Sequence, residues 1–560
     1  MIEGFKWDHY VKYGELTEFL RELVEKYPDL ASMYSIGKTW QGRDIWCIEI
    51  TNKKIGAASD KPAVYVDGNT HAGEVTGCMV SLYTAWQLVT TYSSDTKVSH
   101  LVDTRTFYII PRLSVDGAEL YLTEPFIPRS SIRPWPYDED QDGLYPWHVD
   151  GDGIIAQMRT EDESGDWRAS DKDPRVMVRR KPNEVGGKYY ALFGEGLIKN
   201  WNGVEIKPAP SKWGLDVNRN YGANWQQDFV QAGAGPYPFS EPESRSVAEF
   251  FESHKNITIA QSWHTFTGAV LRPPASKPDK DISPKDLKAL KEVGAVGAEA
   301  TGYPCVGVYE DFALSKDVVG KRPLWGSALE WMMEHEGIVA YSTEVWDMPN
   351  RAIGRLDTYK TLMDWTEDEQ IKMQKWNDEN LGGEGFINWR PFNHPQLGPV
   401  EIGGWKHKSV IQNPPPKFLE QECQKNAKSV IEMALTSPLV RVTKVTAEKV
   451  QDGVYNVKAV LRNMGYLPTN VTDQAVKNKK ANAVKAEIKL PAGCEVVGGK
   501  AEVEIGHLEG RLVVGRAFGG ASQAGTLSQW IVKTGQVPAT VTVRAGNERG
   551  GFDTKTVALE

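Results

Sequence analysis

Residues 62–80 read PAVYVDGNTHAGEVTGCMV, and this stretch decides the fold. Ala63 to Asp67 reads as a strand. Glu74 to Val89 then reads as a buried helix leading away from the loop. Between them, a short loop carries His71 and, three residues later, Glu74. In an open α/β sheet, sites are built just past the carboxyl ends of the strands. Ile45 to Ile50, Thr106 to Ile110, Ile257 to Trp263 and Ile338 to Thr343 read as further strands. Leu16, Phe19, Leu20, Leu23 and Val24 fall at helical spacing and make one apolar face. The expected class is α/β: a mixed sheet with helices on both faces.

Chemistry-bearing residues stand at the ends of these elements. An imidazole nitrogen and a carboxylate oxygen converging from one loop are half of a zinc site, and a catalytic zinc takes a third protein ligand. His264, in ITIAQSWHTFTG just past another apolar run, is the candidate third ligand. The segment GLDVNRNYGANW places Asp216, Asn218, Arg219, Asn220 and Tyr221 at the end of a short strand. Arg219 can grip a carboxylate with two hydrogen bonds, and Asp216 can orient a metal-bound imidazole. In GSALEWMMEHEGIVAYSTEVWDMP, a helix from about Ser327 to Glu336 ends at Gly337, and the next strand presents Glu344. A carboxylate beside a metal is the usual general base for an attacking water. These residues together point to a zinc hydrolase.

In this order the segments resemble the zinc metallocarboxypeptidases, the relatives of carboxypeptidases A and B. The likeness runs from YGELTEFLRELVEKYPDLASMYSIGKTWQGRDIWCIEI through HAGE, FYIIPRLSVDGAE, GLDVNRNY and SWHTFTG to GSALEW and YSTEVWD. It covers roughly residues 8 to 435, with insertions. The resemblance implies that His71, Glu74 and His264 bind one zinc ion and that Glu344 is general base and proton shuttle. It implies that Asn218 and Arg219 hold the terminal carboxylate of a peptide, and that Arg129 stabilises the oxyanion, with Arg133 a rival. Tyr309 would close over the substrate. Leu329 would floor the specificity pocket and select an apolar or aromatic side chain.

The sequence also departs from the family. Digestive members carry an arginine just before the zinc-loop glutamate, where this chain has Gly73, and their NPDG turn is SVDG here, Ser114 to Gly117. The stretch from Tyr309 to Gly326 is longer than in short members. Two alternatives stay open: a zinc hydrolase of a peptidoglycan-type or amide bond, and a catalytically silent peptide- or glycan-binding protein.

Around this frame lie two insertions, about 130–210 and 365–415, which could wall the cleft. The first contains Asp138, Asp140 and Asp142 followed by Gly143, the first half of a calcium loop; Val149 stands where the twelfth-position glutamate belongs. Calcium or a solvated acidic loop are both open. Ser240 with Glu243 predicts a capping box for the helix before the His264 strand. A helix from about Phe418 to Leu435 would close a catalytic domain spanning 1–437. Beyond it, short alternating strands with Gly, Asn and Pro between them predict an immunoglobulin-like β-sandwich over 438–560.

The chain has 560 residues, 40% hydrophobic and 25% charged, as in soluble globular proteins. A net charge of −9 argues against nucleic acid as a partner. No apolar run is long enough to span a membrane. The five cysteines are scattered, without a CxxC pair, so no disulfide framework is visible. The first residues lack the basic start and apolar core of a signal peptide, which leaves a cytoplasmic protein or a mature secreted form. The expected partner is a peptide with a free C-terminal carboxylate.

Overall fold

The computed structural model describes residues 2, 4–312, 323–357, 364–512, 524–535 and 538–560. At its centre is an eight-stranded mixed sheet. In spatial order the strands are Ala31–Lys38, Asp44–Ile50, Thr106–Ile110, Ala63–Gly68, Ile257–His264, Val339–Glu344, Ala269–Arg272 and Cys305–Gly307. The four central strands, from Thr106–Ile110 to Val339–Glu344, run parallel. Their registers bring the carboxyl ends level: Trp263 faces Gly68, and His264 faces Glu344.

Alternate residues of each strand feed opposite cores, as the pleat requires. Val64, Val66, Ile259, Trp263, Val339 and Tyr341 pack with the helices Tyr13–Lys26, Val75–Thr90, Pro284–Thr301 and Pro416–Ala434. Tyr65, Ala260, Ile338 and Ala340 pack with Pro242–Ser253 and Ala328–Glu334 on the other face. Helix Val75–Thr90 is buried almost all round because it is overlaid by Pro416–Ala434. Its start lies so close to the sheet that a Cβ on Gly68 would sit 2.5 Å from the Gly77 carbonyl group.

One sequence expectation is corrected. The capping box of Ser240 and Glu243 does not form. Pro242 fixes the first helical turn, so the cap falls on Glu241 without a side-chain bond, and Ser240 hydrogen-bonds Glu241 instead. The two insertions are joined to each other in the fold. They share one six-stranded sheet, ordered Phe386–His394, Gly398–Trp405, Gln157–Glu161, Tyr190–Gly194, Trp167–Ala169 and Met177–Arg179. Each strand from the first insertion is three to five residues long. Such strands carry little periodic signal alone and are stabilised by partners distant in sequence.

After Ala434 the chain forms two four-stranded antiparallel sheets. One orders Val440–Gln451, Val454–Asn463, Gly525–Thr534 and Cys494–Gly498, the other Glu502–Gly506, Val484–Lys489, Ala539–Asn547 and Gly551–Leu559. Val457, Leu461, Trp530, Ile488 and Val543 fill the space between them. No described helix is long and apolar enough to cross a membrane.

Candidate active site

His71, Glu74 and His264 come together, buried, at the carboxyl end of the central strands, with their donor atoms within 4.8 Å of one another. Glu74 Oε1 lies 2.8 Å from His71 Nδ1, Glu74 Oε2 lies 2.8 Å from His264 Nδ1, and the two Nδ1 atoms are 3.1 Å apart. The other nitrogen of His71, Nε2, is 3.1 Å from Asp216 Oδ1. An N–H donated from Nε2 to that carboxylate leaves the Nδ1 lone pair facing Glu74 and His264. The donor set of two imidazoles and one carboxylate, with its electron pairs aimed at one point, fits a zinc ion.

The backbone of the loop is held by the Asn69 side chain and by the Arg129 carbonyl. Asn69, at φ 55°, donates from Nδ2 to His71 O (3.2 Å) and Ala72 O (3.1 Å), and Ala72 N–H donates to Arg129 O at 2.9 Å. Gly73 is closed in: a Cβ there would sit 2.7 Å from Gln412 Nε2 and 2.8 Å from Tyr121 Cε2. The second insertion thus occupies the space into which a side chain at position 73 would branch.

Burial works to raise the Glu74 carboxyl, but His71 and His264 overcome it and hold it down at about 2. Burial likewise opposes ionisation of Asp216, and Arg129 with His71 keeps that carboxyl well below the usual carboxylate range. Glu344 behaves in the opposite way. Burial, reinforced by repulsion from Glu74, pushes it up to about 8.

Arg129 is 44% exposed and joins the cluster: its Nε donates to Asp216 Oδ2 at 3.0 Å, and a terminal nitrogen lies 3.6 Å from Glu74 Oε1. Arg133 does not. It is committed to the buried Glu241 through two hydrogen bonds of 3.1 and 2.6 Å, and it lies over the Trp40 and Trp135 rings. Asn218 accepts the Ala328 N–H on Oδ1 at 2.9 Å, which leaves its NH2 group unengaged among the described residues. Arg219 is partly exposed and donates to Asn218 O at 2.7 Å. Asn220 is a structural hub, bonded to Ala234 O, Tyr237 O and the Ser240 hydroxyl.

Leu329 is buried in the core with Tyr221 and Trp331, one residue beyond the N–H that Asn218 accepts. Tyr309 lies in the turn Val308–Phe312, partly exposed, with its N–H on Pro274 O; residues 313–322 that follow lie outside the described residues. Asp138, Asp140 and Asp142 do not gather their oxygens within 4.8 Å. Asp140 faces Lys212 at 3.3 Å, and Asp142 accepts from Asn200 at 2.8 Å. Asn69 and Asn413 are loop-holding residues that the sequence reading missed; neither lies in a metal-ligand pattern.

Residues 16–372 match the family model described as zinc carboxypeptidase, and the chain belongs to that family. Residues 439–558 match a domain of unknown function. Bovine (Bos taurus) carboxypeptidase O is 21% identical over 309 residues, 54% of this chain and 62% of that protein. Human (Homo sapiens) carboxypeptidase D is 33% identical over 110 residues, 20% of this chain and 8% of that protein. The alignments thus span less than two thirds of these relatives. Among solved structures, carboxypeptidase A from Helicoverpa armigera aligns over 78% of this chain and 75% of that chain, with 16% identity and a TM-score of 0.44.

Proposed function

We propose that the protein is a zinc metallocarboxypeptidase that hydrolyses the C-terminal peptide bond of a substrate with a free carboxylate and prefers apolar or aromatic terminal residues. The observation that carries this reading is the convergence of His71, Glu74 and His264 opposite Glu344. Zinc held by those three residues would supply a Lewis acid for the scissile carbonyl and lower the pKa of a coordinated water to about 7. Asp216 keeps the His71 ring in the tautomer that offers Nδ1. Glu344 takes the proton of the attacking water and returns it to the leaving amine. Its carboxylate accepts no hydrogen bond among the described residues, and a cation held by Glu74 would offset the repulsion that raises it. Arg129, partly exposed beside Glu74, stabilises the developing oxyanion. The NH2 group of Asn218 and the guanidinium of Arg219 receive the terminal carboxylate, and Leu329 shapes the side-chain pocket. With position 73 closed by Gln412 and Tyr121, carboxylate recognition rests on Asn218 and Arg219.

The test compares matched peptides with free and amidated C-termini, with and without a chelator. Chelator-sensitive release of one terminal residue from the free acid alone is expected. Glu344→Gln should lower kcat about 10²–10⁴-fold while leaving zinc content intact. Equal cleavage of the amide would remove the roles given to Asn218 and Arg219.

A further inference from the structure

Helix Val75–Thr90 begins immediately after a candidate metal ligand, which creates a capping problem. The first N–H groups of a helix have no partner within it, and the N-cap side chain usually supplies one. Here the N-cap residue is Glu74, which makes no side-chain cap because both its oxygens face the imidazoles. The missing acceptor comes from 337 residues away in the chain. Asn413 Oδ1 accepts from Thr76 N–H at 3.2 Å and from the Thr76 hydroxyl at 2.8 Å. On its other side, Asn413 Nδ2 donates to Gly73 O at 2.8 Å. Asn69 reaches the carbonyls of His71 and Ala72; Asn413 reaches the next one. Asn413 is fully buried, and its Nδ2 is also within bonding distance of Lys408 O (3.0 Å) and the Tyr121 hydroxyl (3.1 Å). Tyr10 pins the same segment by donating to Pro414 O at 2.6 Å.

We propose that the second insertion is a working part of the metal centre, and that Asn413 is a positioning residue that holds the His71–Glu74 loop in its donor-presenting shape. This rests on the reading of His71, Glu74 and His264 as the metal ligands. Without Asn413, the Gly73 carbonyl and the Thr76 N–H are buried and unpaired. The loop then relaxes toward other partners, and its two donors lose their common aim.

The experiment uses the full chain, zinc itself as the ligand, and competition with a chromogenic chelator. Asn413→Ala is expected to weaken zinc binding about 10- to 100-fold, the range for residues that hold metal ligands in place. Once zinc-saturated, the variant should keep its KM, because Asn413 makes no substrate contact. Asn413→Leu, which keeps the branched shape without the polar atoms, should show the same loss and covers the case in which the smaller residue prevents folding. Val457→Ala, in the distant sandwich core, measures how much affinity falls through lost stability alone. In the zinc-free parent chain the Thr76 amide should exchange slowly with solvent, and fast exchange there overturns the proposal without any variant. Zinc affinity in the Asn413 variants equal to that of Val457→Ala overturns it too. A parent chain that takes up no zinc overturns the metal reading and the proposal together.

Discussion

Individual residues in this site act in pairs whose members have opposite fates. Arg129 and Arg133 are four positions apart, yet one faces Asp216 and Glu74 while the other is consumed by Glu241. Arg129→Ala should therefore lower kcat about 10²–10³-fold, the loss typical of an oxyanion donor. Arg133→Ala should spare kcat and lower the melting temperature, because it strands the buried Glu241 carboxylate; a large kcat loss in Arg133→Ala would reverse the assignment. Glu243 is a second buried acid, and neither of its oxygens has a hydrogen-bond partner among the described residues. Burial, with Glu241 adding to it, pushes it up to about 8, far above its unfolded value near 4.3. The folded state thus keeps a proton that the unfolded state releases. The stability from this group is full below about pH 4, falls as pH rises to about 8, and then levels off. Glu243→Gln removes that slope. Its melting-temperature advantage over the parent should grow between pH 5 and pH 9 in thermal scans, and a constant difference would refute the account. The spacing of His71 to Glu74, and a histidine or carboxylate at a strand end, were legible in the sequence because chemistry restricts which residue types can do those jobs. Asn69 and Asn413 were not, since an asparagine that satisfies backbone groups looks like any turn residue until its partners are known.

At the scale of elements, the central strands declared themselves as apolar runs because both their faces are covered. Val339–Glu344 and Ile257–His264 lie within a residue or two of their expected bounds, and their register makes His264 and Glu344 neighbours. The sheet built by the insertions had no such signature. It is held by contacts such as Arg159, whose guanidinium lies 4.6 Å from the Tyr190 ring and 4.4 Å from the Trp389 ring while Nε donates to Glu401 at 2.9 Å. These contacts join strands of the two insertions. Arg159→Ala should cost about 1–3 kcal/mol locally, combining lost cation–π contacts and a broken ion pair. Limited proteolysis should then cut within 130–210 faster than in the parent, and unchanged cutting would show that the sheet does not depend on this contact.

Across the whole molecule, the C-terminal sandwich completes an element of the α/β domain. At the carboxyl end of helix Ala328–Glu334, the carbonyls of Trp331, Met332 and Met333 accept backbone N–H groups from the turn that follows, while those of Glu334, Glu336 and Gly337 are met from the β-domain. Arg549, buried in the β-domain, donates to Gly337 O at 3.0 Å and Glu336 O at 2.6 Å; Thr472 donates to Gly337 O at 2.6 Å, and Gln474 to Glu334 O at 2.9 Å. The amino end of that helix receives Asn218, so the two domains share it. Arg549→Ala should destabilise the full chain by about 1–3 kcal/mol, since it leaves the Glu336 carbonyl without its donor while Gly337 O keeps Thr472, with denaturant melts as the measure. A loss below 0.5 kcal/mol would mean that the domains are only loosely joined. The sequence by itself determined the α/β class, the position of the β-rich segment and the residue types of the candidate metal cluster, because burial and metal chemistry each leave a local mark on composition and spacing. Only the tertiary structure decided which arginine faces the cluster, what closes position 73, and which residues cap the helices that carry the site. Those depend on hydrogen bonds between groups hundreds of residues apart, where no local pattern links donor to acceptor.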